Sequence, residues 1–307
     1  MTVQSSRVPQ SHNVQQMNES ITMSITARAV AMKREGIDVV GLSAGEPDFD
    51  TPAHIKAAGI RAIEEGFTKY DSPGSGILPL KEAIARKLKE DNGLDYAAQQ
   101  ITVNNGAKNT IFVALVSMLN TDDEVIVPTP YWVSYVEQPK VVGAIPKVVE
   151  TRAENGLKLT PDELRQAITP NTRLLFLCTP SNPSGAVYTR EELGALAEVL
   201  IEHGVYVISD EIYEKLVYDG AEHHSIASIN GAIKDLTIVV NGLSKSHAMT
   251  GWRVGYAAAA APIIGGMNKV QSQELTQISS ITQRAAVEAL NGPQGFLDEM
   301  LLAFDER

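Results

Sequence analysis

The sequence predicts an α/β fold: a three-layer αβα arrangement with a mostly parallel, seven-stranded sheet between two layers of helices. Three observations carry this. Seven short runs rich in β-branched and other apolar residues recur between residues 101 and 259. Most are continuously apolar rather than alternating, as strands are when both faces are covered. Segments with helical periodicity separate many of them, so successive strands are joined by crossovers and run parallel.

The elements follow in order. Residues 23–35 carry apolar groups at helical spacing, and Gly36 is a natural stop. A second helix opens at Thr51-Pro52, with Thr51 as its N-cap and Pro52 at the first helical position. A third covers 77–90 and ends near Asn92-Gly93. The strand runs are ITV (101–103), EVIVP (124–128), KVVE (147–150), RLLFL (173–177), VYVIS (205–209), LTIVV (236–240) and VGYAAA (254–259). From about residue 268 onward the periodicity is helical, with a break at Asn291-Gly292-Pro293. There is no internal repeat and no low-complexity tract.

Composition narrows the class. A chain of 307 residues, 44% hydrophobic, can bury a large core as one big domain or two smaller ones. A net charge of -11 without any basic stripe argues against a nucleic-acid partner. The single cysteine, Cys178, lies in an apolar run and reads as a small buried hydrophobe. The six histidines have no metal-ligand spacing, so no metal is expected, and His223-His224 reads as surface loop. The N-terminus lacks the apolar stretch of a secretory signal, and YAAAAAPIIGG is too short to cross a bilayer. A soluble cytoplasmic protein is expected.

In open α/β sheets ligands bind beyond the carboxyl ends of the strands. The residues found there are NNGAKN (104–109), TPYWVSY (129–135), CTPSNPSG (178–185), DEIYEK (210–215) and NGLSK (241–245). Gly106, Ala107 and Lys108 place free backbone N–H groups where a helix begins, which suits a phosphate, although many ordinary capped turns look the same. Gly74 and Gly76 lack the third glycine and the strand context of a dinucleotide loop, and no Walker A motif is present. Asp210 could cap a following helix or serve as a buried carboxylate for a cationic ring, with Tyr213 on the first helical turn beside it. Asn182 sits in a strong turn signal. Lys245 follows a buried strand, where a desolvated amine can attack a carbonyl. Arg253 can hold a phosphate through two hydrogen bonds or pair with a surface acid. Each group alone has a bland explanation. Together, in chain order and at strand ends, they are the set needed to hold pyridoxal 5′-phosphate and run carbanion chemistry on it.

The motifs LSAGEPDFDTP (42–52), TKY (68–70), PYWVSY (130–135), SNPSGAVY (181–188), SDEIYE (209–214) and NGLSKSHAMTGWRVGY (241–256) resemble the aspartate aminotransferases of fold type I, in their bacterial subgroup. The resemblance runs from about Val14 to the last residue. It implies that Lys245 bonds the cofactor aldehyde and moves the substrate Cα proton. Asp210 would pair with the pyridinium nitrogen, and Tyr213 and Asn182 with the phenolic oxygen. Trp132 would stack on the ring, with Tyr131 as its rival. Arg253, Ser244 and the amides near Gly106, Ala107 and Lys108 would hold the phosphate. Gly45, Asn182 and Trp132 would meet the substrate, with Thr22 and Lys108 recognising a distal carboxylate. Tyr70 would reach the cofactor phosphate of a partner subunit, making the active unit a homodimer. The implied reaction is a ping-pong transfer of an amino group between aspartate or glutamate and a 2-oxo acid.

Two features depart from the family's pattern. Gly242 stands where many relatives carry a phosphate-binding serine, and Ser244 substitutes in part. The family's C-terminal small domain, with the arginine that clamps the substrate α-carboxylate, has no counterpart before Arg307. The expectation is therefore a C-terminally truncated chain. Residues 1–50 would form an N-terminal arm and part of the small domain, 51–290 the large cofactor-binding domain, and 291–307 the start of the interdomain helix. Asn18 replaces the lysine of dual-function relatives, which disfavours prephenate. The alternatives are another fold type I enzyme, such as an aromatic or kynurenine-type aminotransferase or a carbon–sulfur lyase, and a non-catalytic cofactor-binding fragment.

Overall fold

The computed structural model describes residues 10–42, 45–71 and 74–307. Ser43 and Ala44 of the 42–52 motif, and Ser72-Pro73 of the SPGSG stretch, lie outside the described residues.

The seven apolar runs form seven strands: β1 (Ile101–Asn104), β2 (Glu124–Pro128), β3 (Ile145–Val149), β4 (Thr172–Cys178), β5 (Tyr206–Asp210), β6 (Thr237–Gly242) and β7 (Gly255–Ala258). They make one sheet in the order β1-β7-β6-β5-β4-β2-β3. Strands β2 to β6 are parallel. Strand β7 alone runs against both its neighbours, β1 and β6. Six strands therefore bring their carboxyl ends to one edge of the sheet. The residues that precede β7 reach the same edge, and this is how Arg253 joins groups that follow the other strands.

Both faces of the sheet are covered, as the unbroken apolar runs require. Consecutive residues show it: Val239 packs with Ile55, Leu80 and Ala285, whereas Val240 packs with Ile111, Phe176 and Met267. The first group comes from helices Ala53–Glu64, Leu78–Asn92 and Ser280–Asn291, the second mainly from Ala107–Met118 and Ala261–Glu274. A third cluster, around Leu164, Leu193, Leu200 and Val207, seats helices Pro161–Ala167 and Arg190–His203. No described helix is long and apolar enough to cross a membrane.

Several local expectations change. The second helix is Ala53–Glu64 with Pro52 at the cap position, and Thr51 gives it no side-chain cap. The Thr51 hydroxyl donates instead to the Ala248 carbonyl at 2.6 Å and accepts from the Trp252 indole N–H at 3.0 Å. These bonds tie the chain before that helix to the loop that follows Lys245. No helix follows β5 directly; residues 212–215 form a turn, and the next α-helix is Gly231–Leu236. The helical C-terminal region is three helices, Ala261–Glu274, Ser280–Asn291 and Gly295–Glu306, broken near residue 276 as well as at the expected Gly292-Pro293. His223 is not a surface residue. Its side chain is 7% exposed, and its Nε2 lies 3.3 Å from Glu211 Oε2. The buried Glu211 carboxylate draws the ring inward.

Candidate active site

A cavity of about 470 Å³ opens at the carboxyl edge of the sheet. It collects Asp210 from the end of β5, Ser244 and Lys245 from the loop after β6, Asn182 from the loop after β4 and Trp132 from the loop after β2. Ala107 and Lys108 come from the helix after β1, and Arg253 from the turn before β7. Tyr213, Gly45 and Thr22 complete the wall on the sides that the sheet leaves open.

The base of the cavity carries a buried acid. Asp210 is 4% exposed. Burial pushes its carboxyl up to about 6, against the pull of hydrogen bonds from Tyr135 and the Ile212 amide. The Tyr135 hydroxyl donates to Oδ2 at 2.6 Å and the Ile212 N–H to Oδ1 at 3.3 Å. Across the cavity, burial lowers the affinity of the Lys245 amine for its proton; the Arg253 charge acts the same way, while Glu46 and Asp210 oppose it. Lys245 Nζ contacts the Gly45 carbonyl and lies 5.7 Å from the Tyr213 ring centre. The Asn182 amide donates to the Tyr213 oxygen at 3.3 Å, so the Tyr213 hydroxyl hydrogen is left to donate into the cavity.

The opposite end is cationic. Arg253 adopts a left-handed backbone conformation, φ 58°. That turn lays its guanidinium over Gly106, at the N-terminus of helix Ala107–Met118. It donates to the carbonyls of Thr250 at 3.0 Å and Asn105 at 3.3 Å. The helix N-terminus adds unpaired N–H groups and the positive end of the helix dipole. This end of the cavity is thus suited to an anion.

Glycines make the close approach possible. In the register of the sheet Gly255 lies between Asn104 and Gly242. A Cβ on Gly255 would lie 2.3 Å from the Ala107 nitrogen. Gly255→Ala is therefore expected to displace the helix N-terminus and cost about 1–3 kcal/mol of stability, the usual range for overpacking. Thermal melts and inorganic-phosphate binding would check it; unchanged values for both would show that the approach is not tight. Gly242 has a similar reason. A Cβ there would meet the Val254 carbonyl at 2.6 Å, so a serine at this position does not fit the present packing.

Of the residues expected from sequence, Gly45, Thr22, Ala107, Lys108, Trp132, Asn182, Asp210, Tyr213, Ser244, Lys245 and Arg253 all line the one cavity. Gly106 stands behind it as the helix cap. Tyr131 lines a separate small cavity with Pro128 and Leu177, so Trp132 is the aromatic wall. Tyr70 is 84% exposed and does not reach the cavity within this chain. Burial pushes the Cys178 thiol up to about 12, so it stays protonated beneath the site. Tyr135 was not anticipated. It follows Trp132 by three residues in the four-residue helix Ser134–Glu137, where no periodicity marks it. Glu46 was also missed, although it adjoins Gly45 in a quoted motif.

Comparison with known proteins gives a consistent picture. The sequence pattern of the family described as aminotransferase class I and II matches residues 37–307. The chain is 48% identical over 296 residues to an aspartate aminotransferase of Bacillus sp. (strain YM-2), covering 96% of this chain and 75% of that protein. It is 47% identical over 298 residues to an aspartate/prephenate aminotransferase of Cereibacter sphaeroides, covering 97% and 74%. Among solved structures, the aspartate aminotransferase from Rhizobium meliloti superposes with a TM-score of 0.93 at 45% identity, over 97% of this chain and 74% of that one.

Proposed function

The chain belongs to the aminotransferase class I and II family, and from that premise we propose that its cavity binds pyridoxal 5′-phosphate and exchanges an amino group between aspartate or glutamate and a 2-oxo acid. One observation carries the assignment of the site. A buried carboxylate and a desolvated lysine face one cavity whose far end is an arginine laid over a helix N-terminus. A flat, cationic, phosphorylated ring with an aldehyde has complementary groups at those places.

Each residue then has a task. Arg253, Ser244 and the amides at Ala107 and Lys108 hold the phosphate and fix the ring's position. Trp132 covers one ring face. Asp210 binds the protonated ring nitrogen and keeps it charged. Tyr213 donates to the phenolic oxygen, and Asn182 orients Tyr213. When bound, the cofactor supplies an aldehyde that captures amines and a ring that accepts the electron pair left at the substrate Cα. Lys245 would supply the anchoring amine; once the substrate amine displaces it, its freed Nζ would carry the Cα proton to the cofactor carbon that bore the aldehyde. Burial favours the neutral amine that both tasks require.

Lys108 and Thr22 favour an acidic substrate. Burial and the neighbouring Arg253 charge disfavour the Lys108 ammonium, and an incoming carboxylate relieves that cost. Tyr70, with its ring in solvent, is assigned to the phosphate of a second copy, so the active unit is a homodimer. A cytoplasmic location, and the division into segments 1–50, 51–290 and 291–307, belong to the same proposal.

The test is spectroscopic. Purified protein mixed with pyridoxal 5′-phosphate should gain an absorption band near the visible that is stable to dialysis. Aspartate should bleach it and 2-oxoglutarate restore it. Bleaching by aromatic amino acids alone would reassign the substrate, and no band at all would remove the cofactor.

A further inference from the structure

Tyr135 has no part in the roles just described, yet it touches two residues of the proposed ring site, Asp210 and Trp132. Its side chain is 3% exposed. It stacks on Phe176, with ring centres 4.4 Å apart and planes 17° from parallel. It meets Trp132 edge-on, at 5.5 Å and 89°. Its hydroxyl donates to Asp210 Oδ2 at 2.6 Å. The Cys178 thiol lies against the same hydroxyl. One side chain thus sets the rotation of the acid and the plane of the aromatic wall.

We propose that Tyr135 is a positioning residue for amino-group transfer. By donating to Oδ2 it locks the Asp210 carboxylate in one rotation and holds it in the charged form that a cationic ring nitrogen needs. The proposal rests on the cofactor reading above.

The surroundings of Asp210 show why the donor matters. Burial and the adjacent Glu211 charge favour the neutral acid, while Lys245 across the cavity favours the carboxylate. Cys178, paired with Asp210 across β4 and β5, and Tyr213 are both held protonated by burial. On the other flank, β6 presents the apolar Val240. A donor to a carboxylate stabilises the charged form. Without Tyr135 the acid keeps the Ile212 amide at 3.3 Å, a long bond for an ionic acceptor.

The test reads Asp210 itself. In cofactor-free protein labelled with ¹³C-aspartate, the Asp210 carboxyl resonance is assigned by its loss in Asp210→Asn and titrated. Tyr135→Phe should move its midpoint upward by about one pH unit, the size expected for a charge-assisted bond. A 3-fluorotyrosine at position 135 is a stronger donor and should move it downward. In loaded protein, Tyr135→Phe should lower kcat about tenfold near neutral pH, shift the acid limb of the pH profile upward and leave KM for aspartate nearly unchanged. A purely structural role would move the two variants in the same direction or leave the midpoint in place, and either result overturns the proposal. If Tyr135→Phe does not fold, the fluorotyrosine titration decides alone. If wild-type protein binds no pyridoxal 5′-phosphate, the cofactor reading fails, and the titration shows separately whether Tyr135 governs Asp210.

Discussion

Lys245→Ala should lose on the order of 10⁴-fold or more in turnover, because one substitution removes both the covalent anchor and the proton carrier. It should also remove the absorption band that wild-type protein gains with pyridoxal 5′-phosphate. The fold should survive. The Lys245 side chain projects into the cavity rather than the core, and its amine, already disfavoured as a cation by burial, makes one contact with the Gly45 carbonyl. Removing it takes away one charge that favours the Asp210 carboxylate, which keeps its bonds from Tyr135 and the Ile212 amide. Single-turnover assays with aspartate, together with thermal melts, separate the two outcomes. Retained turnover in a correctly folded variant would disprove the role given to Lys245.

Asp210→Asn should show the opposite balance of stability and activity. The Asp210 carboxyl is raised from 3.8 to about 6 in the folded chain, with burial as the main cause. A carboxyl raised in this way contributes stability below its unfolded value, and that contribution is lost as pH rises through the folded one. The window is therefore from about pH 4 to about pH 6. Above it, holding the charged acid costs the cofactor-free protein about 3 kcal/mol. The asparagine variant carries no such charge. Cofactor-free Asp210→Asn should therefore melt higher than wild type at pH 8 and differ little from it at pH 4. Its turnover should nevertheless fall on the order of 10²–10³-fold, since the preorganised charge opposite the ring nitrogen is gone. Melting curves at the two pH values and steady-state rates with aspartate check both halves. An equal difference in melting temperature at pH 4 and pH 8 would show that the buried charge is not the source. The buried carboxylate is thus costly in cofactor-free protein, and a bound cation should relieve that cost.

Much of this candidate site is legible in the sequence, because an α/β sheet carries the residues that follow its strands to one edge. Asp210, Lys245, Asn182 and Trp132 were picked out as residues that follow strands, and parallel strands carry such residues to one edge. Arg253 precedes its strand. Strand position alone does not explain its place at that edge; the reversed direction of β7 does. Tyr135 carries no local signal, because its place beside Asp210 depends on stacking against Phe176, from a strand not adjacent to it in the chain. His223 was misread because a polar local sequence said nothing of the buried Glu211 beneath it. Thr51 has the residue type of a cap, but two long-range hydrogen bonds claim its hydroxyl. The same limit explains the second break in the C-terminal helices. Residues near 276 carry no proline, yet Thr276 sits at φ 69° and its carbonyl lies against Gly74.

The sequence by itself determined the fold class, the seven strands and the inventory of reactive groups. These follow from local patterns: apolar runs for buried strands, and polar clusters at their ends. Only the tertiary structure decided which groups meet, and in what state. The charge on Asp210, the desolvation of Lys245 and the glycine-lined approach of Arg253 to a helix N-terminus depend on distances between residues far apart in the chain. Burial and Coulomb forces act through space, and no local pattern encodes them.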